Sequence, residues 1–182
     1  MGRLLLRLTV GGFFVGHGMQ KLAGWFGGGG LEGTAQFFEQ SLGLRPGRRH
    51  ATAAGLAEAG GGALLALGLA TPFAAAAITS VMLTAVHRVH WKNGPWSSNG
   101  GFEYNAVLIA AALALVETGP GPASLDALLG TELDGPGWTV AALAAGVAGA
   151  VGANRAAGAT PQATSDDEAE DAPAGTPAAD AA

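Results

Sequence analysis

Cysteine is absent from all 182 residues. That excludes disulfides, thiolate catalysis and Cys-ligated metals, so any redox chemistry must come from a cofactor or a partner protein. Charge is scarce as well. Only 13% of residues are Asp, Glu, Lys or Arg, against about 25% in an ordinary soluble domain. Six of the fourteen acids (Asp166, Asp167, Glu168, Glu170, Asp171 and Asp180) crowd the end of the chain, so the body is close to neutral and the formal charge of −5 belongs to the tail. No basic patch offers a footing for nucleic acid. Strand patterning is lacking too, because apolar and polar residues do not alternate and Ala and Leu dominate the apolar runs. Gly27–Gly30 has no Gly-Lys-Ser/Thr after it and no strand before it, so it is not a phosphate loop, and neither Gly-x-Ser-x-Gly nor His-Glu-x-x-His occurs.

Apolar bulk is what remains: 49% of residues are hydrophobic and the mean hydropathy is +0.32. The 31 glycines, set among many alanines, suit close helix packing in lipid. Crossing roughly 30 Å of hydrocarbon takes about 20 residues in a helix. Four segments qualify on this reading: Leu4–Phe26, Ala51–Leu69, Pro72–His90 and Phe102–Thr118, the last ended by Gly119-Pro120-Gly121-Pro122. The expected fold is therefore all-α, a transmembrane four-helix bundle over residues 1–130. A fifth stretch, Trp138–Gly152, within residues 131–156, is short and weakly apolar, and is either a last membrane helix or a helix lying on the bundle. Residues 157–182 hold Ala, Pro, Thr, Ser and acid, which bury too little apolar area to order themselves, so a disordered tail is expected.

The N-terminal run carries Arg3 like a signal peptide, but Gln20-Lys21 interrupts the place of a cleavage site, so the segment reads as a retained helix. Leu6 stands where a myristoylation signal needs Ser or Thr. The connection 27–50 includes Thr34–Gln40, read as a short amphipathic helix with Phe37 and Phe38 on the membrane side, followed by Arg45, Arg48 and Arg49. Arg88 and Lys92 lie in the other long connection, on the same side of a four-helix bundle. The positive-inside rule leans toward a cytoplasmic position for both, with Arg3 and Arg7 opposing.

Glu58 interrupts the apolar run Ala51–Leu69. Facing lipid, a carboxylate there costs roughly 2.5–3.5 kcal/mol on insertion scales. It must therefore face a partner, a cavity or a ligand. His17 and Lys21 are four residues apart and share a helix face. Two readings stand for this set. In one, Lys21 and His17 form a polar patch for a quinone-like head group, with Glu58 orienting Lys21 or relaying a proton. In the other, Glu58 is a structural ion-pair partner of Lys21 or His17, or Lys21 merely snorkels to the interface. Glu103 opens the fourth segment at the level of Arg88 and Lys92, where it either joins the polar cluster or makes a surface-level salt bridge. His87 and His90 lack the third and fourth ligands that zinc requires, so no metal site is expected; with Trp91 and Trp96 they read as an interfacial belt.

Taken in order, Gly16-His17-Gly18 with Lys21-Leu22, Gly55-Leu56-Ala57-Glu58 with Gly60-Gly61, Leu67-Gly68-Leu69, His87, Glu103-Tyr104-Asn105 and Gly119-Pro120-Gly121-Pro122 with Ser124-Leu125-Asp126 form a pattern that resembles the DoxX family of small bacterial membrane proteins. The match covers roughly residues 3–130. The resemblance implies a four-helix membrane bundle and a link to redox chemistry, since relatives include a subunit of a thiosulfate:quinone oxidoreductase and scaffolds of redox enzymes at the membrane. Expected partners are the lipid bilayer and a redox enzyme subunit. No cofactor is evident in the residues themselves, and quinone is the one the resemblance suggests. The expected location is the inner membrane, with several crossings. The competing expectations are a small transporter with Glu58 on a solute or proton path, and a structural scaffold without a ligand.

Overall fold

A computed structural model describes residues 1–131 and 133–158; the acidic tail lies outside them. The described residues are helical, without strands. In chain order the α-helices are α1 (Gly2–Ala23), α2 (Gly30–Gln40), α3 (Gly47–Leu67), α4 (Thr71–Ala85), α5 (Glu103–Thr118), α6 (Leu125–Leu129) and α7 (Pro136–Gly158). A π-helical turn, Val86–His90, and a 3-10 turn, Trp91–Asn93, prolong α4. Five long rods result, running alternately up and down, with α2 folded against α1 and α3 at one end.

α1 and α3 form the most extensive pairing, and small residues explain it. Gly11 and Gly18 stand seven residues apart, as do Gly55 and Gly62 on α3. The two helices run antiparallel with Gly11 against Gly62 and Gly18 against Gly55. A Cβ at Gly62 would lie 2.6 Å from the Gly11 carbonyl oxygen and 2.7 Å from the Val15 nitrogen. Backbones this close have no room for side chains between them, which is why glycine recurs at a helical seam spacing. Gly60, two residues away, has nothing within 4 Å of its would-be Cβ. Across the molecule α4 and α7 run parallel, with Gly146 against Thr79 and Gly149 against Ser80. The core between the two halves is Val10, Phe14, Leu65, Ile78, Leu115 and Val116 with several alanines. Outside it, Leu5, Phe13, Leu56, Phe73, Val107 and Val140 form an exposed apolar girdle.

The end bearing the N-terminus is closed by two buried charges. Arg7 donates to the carbonyls of Pro120 (2.6 Å), Ala123 (2.8 Å) and Ala66 (3.2 Å). Its guanidinium thereby satisfies the C-terminal carbonyls that helix ends and turns leave orphaned. Arg3 donates to the carbonyl of Thr118 at 2.5 Å. Asp126, buried, accepts from the backbone N–H of Ala70 (2.9 Å) and of Thr71 (3.2 Å) and from the Thr71 hydroxyl (3.0 Å). It caps the start of α4 from a distant part of the chain, in the role an N-cap side chain normally plays locally.

The four spans expected from the sequence are reduced on the test of length and apolarity. Two helices pass it: Thr71–Asn93 and Pro136–Ala157. α1 carries Arg3, Arg7, His17, Gln20 and Lys21; α3 carries Arg48, Arg49 and Glu58 among weakly apolar glycines; and α5 has 16 residues. Trp138–Gly152, expected to be short, is the middle of the longer α7, because Pro136 starts the helix and the alanines after Gly152 prolong it. The expected Thr34–Gln40 helix begins earlier, at Gly30.

Gly60→Ala should stabilise the purified protein by about 0.5–1 kcal/mol, because alanine costs less backbone entropy in a helix. Gly62→Ala should destabilise it by about 1–3 kcal/mol through overpacking. Thermal melts of both variants in one detergent check the contrast.

Candidate functional site

A cavity of about 790 Å³ occupies the half of the bundle away from Arg7 and Asp126. α1, α3, α4, α5 and α7 supply its walls, and Phe37 and Phe38 of α2 with Leu42 and Leu44 complete them on one side. Phe37 and Phe38, expected on the membrane side, both line the cavity, and Phe37 is exposed as well. Mostly apolar walls with a few polar groups are the usual composition of a small-molecule site.

Lys21 and Glu58 meet on this wall. The Lys21 ammonium lies 2.5 Å from Glu58 Oε2, and the two side chains are 24% and 5% exposed. Lys21 therefore does not reach out to an interface; its charge is turned inward to a buried carboxylate. The glycine seam makes this possible. With Gly18 and Gly55 holding the backbones together, the ammonium spans the remaining gap to α3 and also points at the His17 carbonyl at 3.5 Å. The pair is chemically bifunctional, because the ammonium donates and the second carboxylate oxygen remains an acceptor.

His17 lines the cavity one turn before Lys21 without touching Glu58; its Nδ1 is 3.0 Å from Gln20 Oε1, which leaves Nε2 for other partners. Glu103 is the exception among the expected site residues. It opens α5, its backbone N–H bonds to the Pro95 carbonyl, and it does not line the cavity. Nor does it pair with Arg88 or Lys92 among the described residues. Arg88 donates to Asn154 Oδ1 (2.5 Å), the Asn154 carbonyl (3.2 Å) and the Leu42 carbonyl (3.3 Å). This residue, counted from the sequence among the charges of a long connection, ties α4 to α7 and to the chain after α2. It does so from the π-helical turn, an irregularity frequent beside functional sites. Trp91 and Trp96 are exposed as a belt would require, and Trp91 stacks on Phe102 with centroids 5.5 Å apart.

Two further polar residues of the wall, Tyr104 and Asn105, belong to a tripeptide in which the sequence drew attention to the acid. The signal that would have found Asn105 is an amide two residues inside an apolar helix. Asn105 is buried, and its one side-chain partner among the described residues is the Met82 sulfur, 3.4 Å from Nδ2. No group of three or more His, Cys, Asp or Glu that could hold a metal occurs among the described residues.

Residues 2–91 match the DoxX family model. A Bacillus subtilis (strain 168) protein named "Putative oxidoreductase CatD" is 36% identical over 115 residues, which cover 63% of this chain and 78% of that protein. The chain belongs to the DoxX family. No solved structure matches it. The DoxX match takes in α1 to α4, hence His17, Lys21 and Glu58, and stops short of Glu103-Tyr104-Asn105. It is thus shorter than the span of roughly 3–130 over which the sequence pattern runs.

Removing one partner of a buried ion pair strands the other charge. Lys21→Met should destabilise the protein by about 3 kcal/mol or more. Arg48→Ala, which breaks the Arg48–Glu32 pair whose side chains are 68% and 73% exposed, should cost under about 1 kcal/mol. Denaturation of both variants in matched detergent gives the comparison, and equal losses would contradict the pairing of Lys21 with a buried Glu58.

Proposed function

We propose that this chain is a multi-pass protein of the inner membrane that serves as an accessory subunit or scaffold of a quinone-linked redox complex. In this reading α1, α3, α4 and α5 form a four-helix transmembrane bundle and α7 is a fifth crossing. The exposed girdle of Leu5, Phe13, Leu56, Phe73, Val107 and Val140 supports the lipid contact. Setting aside Arg88, Arg3 and Arg7, which are occupied with backbone carbonyls, Arg48, Arg49 and Lys92 remain, all in the two long connections or beside them. The end with the long connections is then the cytoplasmic one.

The observation that carries the redox reading is the apolar cavity with the Lys21–Glu58 pair on its wall. A flat, apolar ring bearing oxygens fits such walls. Lys21 donates a hydrogen bond to one ring oxygen, His17 offers Nε2 nearby, and Glu58 holds Lys21 in place and accepts or passes on a proton. A bound quinone supplies two-electron carriage, which a chain without cysteine does not. The relative named as an oxidoreductase points the same way.

Titration of the detergent-purified protein with decylubiquinone, followed by quenching of tryptophan fluorescence, tests the proposal. The wild type should bind, and Lys21→Met and Glu58→Gln should each weaken binding about tenfold, the loss of one charge-assisted hydrogen bond. No binding by the wild type, or identical binding by all three proteins, would contradict it.

A further inference from the structure

Asn105 stands on the α5 wall of the cavity, whereas Lys21 and Glu58 stand on α1 and α3. Its residue exposure is 6%. Its Nδ2 is spent on the Met82 sulfur, a weak acceptor, and its Oδ1 has no partner among the described residues. Arg7 Nε and Thr79 Oγ1 are the fully buried side-chain atoms without a partner among the described residues, and Asn105 Oδ1 is not one of them, so the oxygen keeps access and is free to accept from a molecule in the cavity. A molecule that fills the cavity either donates to that oxygen or strips it of water without replacing the bond.

We infer that Asn105 is a second anchoring residue of the cavity and that it makes the site prefer the reduced, hydroxyl-bearing form of a quinone-class ligand. The inference rests on the proposed quinone reading and deepens it. A hydroquinone O–H donates to Asn105 Oδ1, while the ligand's other oxygen accepts from Lys21 and its proton is offered to Glu58. A quinone has carbonyls alone and cannot satisfy Oδ1. Turning the amide over would present Nδ2 to the carbonyl, but would also set Oδ1 against the Met82 sulfur, two acceptors facing one another. The oxidised form therefore leaves one group unpaired in either orientation, and the reduced form leaves none.

Anaerobic calorimetric titration of the full-length wild-type protein with decylubiquinol and with decylubiquinone tests this. The wild type should bind the quinol about tenfold more tightly, the cost of stripping water from one acceptor that the quinone gives no donor. Asn105→Leu should bring the two affinities together while quinone binding persists, and Lys21→Met should weaken both forms. Equal wild-type affinities, or a preference for quinone, would overturn the role of Asn105 and leave the quinone reading standing. Failure of both forms to bind would overturn both. Should Asn105→Leu not fold, Asn105→Ser removes the same carbonyl with less bulk, and the wild-type ratio alone still decides.

Discussion

The close approach of α1 to α3 is the constraint on which the rest depends. Gly11, Gly18, Gly55 and Gly62 bring two backbones into direct contact. That contact fixes the distance across which Lys21 must reach, and so makes an ion pair with Glu58 available without a long detour. Loosen the seam and the carboxylate loses its cation while remaining buried. The charge pair does not by itself explain stability, since exchanging two buried ions for apolar groups often leaves stability unchanged or raised. In the proposed reading, its presence within an apolar wall is accounted for by what the pair does for a ligand.

The few charges of the chain are divided between two jobs. At the end bearing the N-terminus, Arg3, Arg7 and Asp126 are spent on backbone groups, closing helix ends that would otherwise carry orphaned carbonyls and N–H groups. That end is a stopper. In the other half, Lys21, Glu58, Arg88 and Asn105 surround open space. Arg88 is intermediate in character: it lines the cavity, yet its donors go to Asn154 and Leu42, so it holds the wall together. The partition gives one end closed by hydrogen bonds to the backbone and one end that holds a cavity.

Much of this was legible in the residues. The length of the apolar runs, with Pro72 at a start and Gly119-Pro120-Gly121-Pro122 at an end, located α1, α3, α4 and α5 to within a few residues. Glu58 was conspicuous because a lone acid in an apolar run needs a reason, and Lys21 was already named as its possible partner. Less legible was anything that depends on distant parts of the chain meeting. Arg7 looked like a terminal charge, and only the fold brings Pro120 and Ala123 to it. Asp126 gave no sign of its partners either, and two of them, Ala70 and Thr71, are more than fifty residues away. Asn105 was overshadowed by the charge of Glu103, though the amide faces the cavity and the acid does not. The length of α7 was underestimated because alanine and glycine give a faint apolar signal, while its packing on α4 relies on those small residues.

Charge reversal tests the central claim most directly. Lys21→Glu and Glu58→Lys each place two like charges together in a buried position and should each lower the melting temperature sharply. The double reversal restores an opposite pair across the same seam. The account predicts that the double variant recovers most of the stability lost by either single one, as coupled neighbours do. If the two losses simply add, Lys21 and Glu58 do not act on each other and the site described here is not built as stated.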